Sequence, residues 1–180
     1  MIVQPLTPER WPDLETLFDS GAVTRRCWCM YGRIGSLYRR LLPSDNRAAF
    51  REVVAGGPPP GLIAYEDERP VGWCQICPRV QLPQMRKVWR LRSPDDLPVW
   101  SLSCLYVRNE MRRRGVARAL ISAAVDFARE NGAPAVEAYP IDRRYSPSAS
   151  STGFVTTFER LGFRSVASPS RERPIMRLVF

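Results

Sequence analysis

Residues 99–141 constrain this chain more than any other stretch. VWSLSCLYV (99–107) alternates well enough for a strand buried on at least one face, and RNEMRRRG (108–115) is a polar turn. Beyond it, apolar residues recur at Ala117, Leu120, Ile121, Ala124 and Ala128, the spacing of one helical face. This predicts an amphipathic helix from about Gly115 to Asn131, with Gly132 placed to close it. AVEAYPI (135–141) then supplies another strand. A strand, a helix and a strand in one sheet imply a parallel, right-handed crossover, because a twisted strand feeding a right-handed helix packs back onto its sheet only that way.

The remaining elements follow from local signals. IVQPL reads as a short strand; Thr7 offers a helix N-cap with Pro8 at the first helical position, and Trp11, Leu14, Leu17 and Phe18 form its apolar stripe. Residues 21–42 have no clear period and read as loop with helical turns. Ser44 can cap a second helix bearing Ala49, Phe50, Val53 and Val54, which GGPPP terminates. GLIAYEDERPVGWCQICP reads as a hairpin turning at residues 66–70. Residues 78–98, with four prolines, read as a long excursion, and loops of that length are often functional. FVTTFERLGF gives a short helix ended by Gly162, and RPIMRLVF a last strand. The order is β-α-α-β-β-loop-β-α-β-α-β: an α/β chain with an antiparallel first half. Residues 1–180 read as one domain without internal repeats, of a size that buries its own core.

Composition excludes some classes. Hydrophobic residues at 44% and charged residues at 25% argue against wholesale disorder. No apolar run approaches the roughly 20 residues that span a bilayer, and MIVQPLTPERW lacks the basic start and apolar core of a secretory signal. A cytoplasmic protein without membrane association is the expectation. The net charge of +9 favours anionic partners through long-range attraction. Lys87 is the only lysine among 27 basic residues, so a GC-rich coding bias explains the arginines as readily as phosphate chemistry does. Cys27-x-Cys29 and Cys74-x-x-Cys77 can be drawn as a zinc site. In a strand, however, the odd spacing of Cys74 and Cys77 sends them to opposite faces, and the chain has no histidine; buried reduced thiols and no metal are expected.

The arginines cluster at 108, 112, 113, 114 and 118, around one glycine. A recognition helix for nucleic acid would spread them along one helical face, but they precede the helix. A merely solvated helix start is disfavoured, since cations near a helix N-terminus each cost roughly 0.3–1 kcal/mol when exposed. A phosphate-binding turn resolves the conflict. Unpartnered amides at the helix start converge on one spot, Gly115 admits a phosphate to the backbone, and Ala117 keeps the rim open. GxxxxGK[ST] is absent, and one glycine is too few for the dinucleotide fingerprint.

The run Arg112-x-x-Gly115-x-Ala117 between strand and helix resembles the pyrophosphate loop of the GNAT superfamily of N-acetyltransferases, whose pattern is [Q/R]-x-x-G-x-[G/A]. Phe158-Glu159-Arg160-Leu161-Gly162-Phe163 resembles that family's helix ending Y-E-x-x-G-F. The resemblance implies a mixed sheet of about six to seven strands whose fourth and fifth strands splay, flanked by about four helices. It implies acetyl-CoA as co-substrate, with its pantetheine arm along Leu105, Tyr106 and Val107 and beside Phe158. Its pyrophosphate would rest on the amides of Arg113, Arg114, Gly115, Val116 and Ala117, with Arg112 nearby. A small-molecule amine would attack the thioester directly, without metal or nucleic acid; homodimerisation stays open.

The chain departs from the pattern where the chemistry is done. The family's usual acid, a tyrosine, is Phe158 here, and the asparagine common seven residues earlier is Ser151. Two inward positions of the fourth strand, Glu or His in some members, are Ser101 and Ser103, which can hold a water that relays a proton. Glu137 and Tyr139 lie two apart on one strand face and offer a substitute base and acid; the alternative for Glu137 is an ion pair with an arginine. Tyr145, in the polar stretch 142–151, reads as an exposed loop residue. Trp28, Tyr31 and the excursion with Trp89 either line an acceptor pocket or cap the core. Three functions are therefore on the table: an acetyl-CoA-dependent N-acetyltransferase, an acyl-CoA-binding module without transfer, and a basic nucleic-acid-binding protein.

Overall fold

The computed structural model of the protein describes residues 1–144 and 151–180, the Trp89 side chain excepted. Among these residues, seven strands make one mixed sheet: β1 (Ile2–Pro5), β2 (Gly61–Glu66), β3 (Arg69–Pro78), β4 (Trp100–Val107), β5 (Ala135–Ala138), β6 (Arg164–Ser170) and β7 (Arg173–Val179). Their spatial order is β1-β2-β3-β4-β5-β7-β6, antiparallel throughout except for the parallel β4–β5 pair. The mixed α/β architecture is the one the sequence predicts. β6 is an addition: RSVASPS is polar and largely exposed, and forms a strand because β7 offers it a ladder to pair with.

Among the described residues, seven α-helical segments stand where about four were expected. α1 (Trp11–Asp19), α4 (Pro43–Ala55), α6 (Val116–Glu130) and α7 (Val155–Glu159) are the anticipated four. α2 (Ala22–Cys27) and α3 (Tyr31–Ile34) lie in the stretch read as loop, and α5 (Pro83–Lys87) in the excursion, each a turn or so of helix too short to show a period. Two cap assignments need correction. Thr7 makes no side-chain cap, because the chain first forms a 3-10 turn over Pro8–Arg10. Ser44 falls inside α4, whose N-cap is Leu42; Asp45 Oδ2 accepts the Leu42 amide at 3.3 Å.

Two faces of the sheet carry separate cores. α6 lays Val116, Leu120, Ile121, Ala124, Val125 and Ala128 over Leu62, Cys74, Ile76, Leu102 and Val136, and Phe158 and Phe163 join that core edge to face, centroids 5.1 Å apart. On the other face, α1, the α2–α3 segment and α4 pack Trp11, Phe18, Trp28 and Phe50 around Trp73. A smaller cluster beside it joins Cys77, Leu82, Met85, Leu91, Tyr139 and Ile175. Cys74 and Cys77 thus sit on opposite faces, as their spacing in a strand requires.

Candidate active site

β4 and β5 pair only over Trp100–Leu102 and Val136–Ala138, although β4 runs on to Val107. The reason lies in β4. Gln75 and Ile76, adjacent on β3, face Cys104 and Leu102, so Ser103 is one residue too many in the ladder. Such a bulge bends its strand and strengthens the local twist, which carries the second half of β4 away from β5. The wedge that opens is occupied by the chain itself. The Leu105 amide donates to the Ser151 carbonyl at 2.6 Å, and the Ile141 amide to the Gly153 carbonyl at 2.9 Å. Gly153 has φ +79°, and a Cβ there would lie 2.9 Å from the Phe158 ring and 3.0 Å from Leu105 Cδ1. The Leu105 backbone, expected to meet the pantetheine arm, therefore already has a partner in this structure.

Beyond β4 the chain makes a 3-10 turn over Asn109–Met111, then Arg113 (φ +61°) and Gly115 (φ +84°) enter the left-handed region before α6. Among the described residues, the amides from Arg113 to Arg118 find no backbone acceptor; the ladder of α6 begins with Ala119 donating to the Gly115 carbonyl at 3.0 Å. A Cβ on Gly115 would meet nothing within 4 Å, so the space over the turn is open. Arg112, Arg113 and Arg118 are exposed, while Arg114 leans to Glu66 at 3.6 Å and Met111 Sδ at 3.3 Å. Val116 is buried under the sheet and Ala117 half-buried at the rim. Unpaired amides, cations and an open lip are together what an anion cradle requires.

Glu137 and Tyr139 share a face of β5, as their spacing predicts, but both are sealed in. Glu137 Oε1 accepts from Arg79 Nη1 and from the Tyr139 hydroxyl (2.8 Å); Oε2 accepts from Ser93 Oγ (2.9 Å) and Arg177 Nη2 (2.8 Å). Four donors fill the carboxylate, so no lone pair is left for a substrate proton. Arg177 also holds Asp95, at 2.7 and 3.0 Å. The single Tyr139 proton goes to Glu137, so its oxygen accepts from Arg79 and from Ser101 Oγ (3.0 Å). Burial, then the Glu137 charge, push the Tyr139 phenol far above the usual tyrosine range. Glu137 pairs with Ser101 inside the closed part of the sheet, not in the open wedge. This geometry is that of the arginine ion pair, the alternative to the base.

Ser103, the bulged residue, is half-buried on the same face. Its Oγ donates to Gln75 Oε1 at 2.8 Å, and Gln75 Nε2 donates to the Cys29 carbonyl at 3.3 Å. Trp28 and Cys29 have φ of +46° and +53°, a left-handed pair that turns that carbonyl toward β3. The Trp28 ring stacks on Trp11 and is core, whereas Tyr31 is exposed. Cys27 and Cys104 are half-buried here, and Cys29 is buried with its Sγ accepting from Trp73 Nε1 at 3.1 Å. Phe158 is fully buried under the wedge and carries no donor. The roles of Arg79, Arg177 and Gln75 have no signal in the sequence, since each is defined by a partner far along the chain. Tyr145 lies outside the described residues.

Comparison with known proteins adds the relationship. The acetyltransferase (GNAT) family matches residues 26–154, which include β4, the anion cradle and β5. No curated protein matches the sequence. Among solved structures, a ribosomal-protein-alanine N-acetyltransferase from Brucella melitensis is similar over 100% of both chains, with TM-score 0.59 and 14% identity. The PaiA N-acetyltransferase from Thermoplasma acidophilum, in complex with coenzyme A, is similar over 99% of this chain and 98% of its own (TM-score 0.57, 14% identity). An agmatine N-acetyltransferase is similar over 99% of each chain (TM-score 0.59, 12% identity). At these identities the structural likeness is one of fold.

Proposed function

Because this chain belongs to the acetyltransferase (GNAT) family, we propose that it transfers the acetyl group of acetyl-CoA to the primary amine of a small molecule, in the cytoplasm. The observation that carries this reading is the open cradle at Gly115 at the end of a splayed strand. A diphosphate would take the amides of Arg113–Ala117 and the charges of Arg112, Arg113 and Arg118. The pantetheine arm would follow β4 beside Leu105, Tyr106 and Val107, over Phe158, after the Ser151 carbonyl gives up the Leu105 amide. The amine nitrogen attacks the thioester carbonyl, the C–N bond forms and the C–S bond breaks. Sulfur leaves with the electron pair and needs no strong acid, which suits a site with Phe158 at the usual tyrosine position. Ser103 gives its proton to Gln75, so its lone pairs face outward to orient the amine or a water that takes the proton. Glu137, Tyr139 and Ser101 act as the internal brace beneath it.

Acetyl-CoA should raise the melting temperature, by the equivalent of about 2.7 kcal/mol at a hundredfold excess over Kd, and an amine panel should then release free thiol. Gly115→Glu should abolish the shift, since the new side chain brings bulk and negative charge into the cradle. No shift at millimolar acetyl-CoA would reject the reading. A second reading, binding without transfer, is favoured by Phe158 and the saturated Glu137; it predicts the shift with no thiol release from any amine. A nucleic-acid binder predicts affinity falling steeply with salt.

A further inference from the structure

Resting on the acyl-transfer reading above, we propose that the acceptor amine carries a carboxylate, and that Arg173 is the residue that binds it. Arg173 opens β7 across the hairpin from Ser170. Its Nη1 donates to the Tyr139 carbonyl at 2.7 Å and to Thr152 Oγ1 at 2.8 Å. The first contact ties it to the end of β5, the second to the segment whose Ser151 carbonyl holds Leu105 on β4. The guanidinium therefore joins the end of β5 to the segment that fills the wedge, where β4 and β5 have parted.

Its electrostatic situation differs from that of the other arginines in the interior. Arg79 and Arg177 are neutralised by Glu137 and Asp95. Arg108 is satisfied by the carbonyls of Pro70 and Thr16. Arg173 is half-buried, yet no carboxylate lies within ion-pair distance of it among the described residues. Instead it lies near a second cation, Arg90; burial first, then that like charge, hold its pKa below the usual arginine range. The neighbouring Glu172 carboxylate offsets part of this but forms no ion pair with Arg173, and an anion seated on the guanidinium would complete the compensation.

The free edge of Arg173 selects the anion. With Nη1 engaged, Nε–H and Nη2–H remain as a parallel pair, the geometry that a carboxylate accepts with both oxygens. Tyr31, within electrostatic reach of Arg173 and edge to face with Tyr38, supplies a partly exposed aromatic rim for the body of the same molecule. A diamine or guanidino-amine would bring positive charge against Arg90 and Arg173 and is disfavoured. The reaction would convert an amino acid and acetyl-CoA to an N-acetyl amino acid and CoA: the nitrogen loses one proton, and the departing sulfur gains one.

The test compares amines that differ only in the carboxylate: phenylalanine with phenethylamine, tyrosine with tyramine, lysine with cadaverine, each followed by thiol release. The amino acid of at least one pair should have the larger kcat/KM by about tenfold or more. Arg173→Gln should raise KM for that amino acid far more than for its decarboxylated partner and collapse the ratio, and Arg173→Lys should restore part of it. Equal or better turnover of the decarboxylated amines overturns the proposal, and this comparison needs only the wild-type protein. So does an Arg173→Gln variant that slows both members alike. If acetyl-CoA still stabilises the protein but no amino acid is acetylated, the acceptor assignment falls and the donor reading stands; absence of stabilisation removes the donor reading itself.

Discussion

Glu137 accepts more hydrogen bonds than a catalytic base can spare, and its partners explain why the sequence alone does not reveal this. It lies two positions from Tyr139, and that pairing is legible in a strand; Arg79 and Arg177 lie 58 and 40 positions away. Removing one member of such a buried pair typically costs about 3–5 kcal/mol, because the other charges stay behind. Glu137→Gln should therefore lower unfolding free energy by about that much in urea titrations, while the folded fraction keeps its affinity for acetyl-CoA. Ser103→Ala makes the opposite separation. Its hydroxyl touches only Gln75 among the described side chains, and the buried Gln75 oxygen it leaves behind should cost about 1–3 kcal/mol, less than Glu137→Gln. Under the proposed role, kcat should fall about tenfold or more with little change in KM for acetyl-CoA, measured by thiol release.

The elements divide by how local their causes are. α6 and the β2–β3 hairpin are readable because one period or one turn specifies each. α2, α3 and β6 are not: two are too short to show a period, and the polar β6 exists by pairing with β7. The bulge at Ser103 leaves no mark in the sequence either, since it is a property of two strands in register. The contact between α6 and β3 has a sharp test. A Cβ on Gly72 would lie 2.7 Å from Val116 Cγ1 and 3.0 Å from Leu120 Cδ1, so the first turn of α6 rests on bare backbone. Gly72→Ala should lift that turn, cost about 1–3 kcal/mol by overpacking, and weaken acetyl-CoA binding through the displaced cradle. Calorimetric titration beside urea unfolding would separate the two effects; intact affinity in a destabilised variant would show that the cradle does not ride on this contact.

Across the whole molecule, proton binding sets an alkaline limit. Burial raises the thiols of Cys29, Cys74 and Cys77, the last to about 11 from 9.0, and the phenols of Tyr65 and Tyr139. Each keeps its proton in the folded state after the unfolded chain has released it. Their contribution is complete below the unfolded values and is lost as pH rises toward the folded ones, at about 1.4 kcal/mol per pH unit for each group in its window. Cys77 should act between pH 9 and about 11, together with Cys29 and Cys74, whose windows also open at the unfolded thiol value, so urea midpoints should fall steeply there; Cys77→Ala, compared with wild type, should reduce that slope by one group's share. The sheet also sorts the work between its faces, with the cradle following α6 on one and the excursion from Arg79 to Val99 on the other. The Arg79 amide donates to the Val99 carbonyl at 3.1 Å, so the excursion is tied off at its base where β3 and β4 are already in register. The neck fixes where the excursion starts and ends, and its interior is fixed as well, because Leu91, Ser93 and Asp95 bond Arg79, Glu137 and Arg177 across it. Under the proposed function, variation on the side that would meet the acceptor is confined to the parts of the excursion that leave this brace intact.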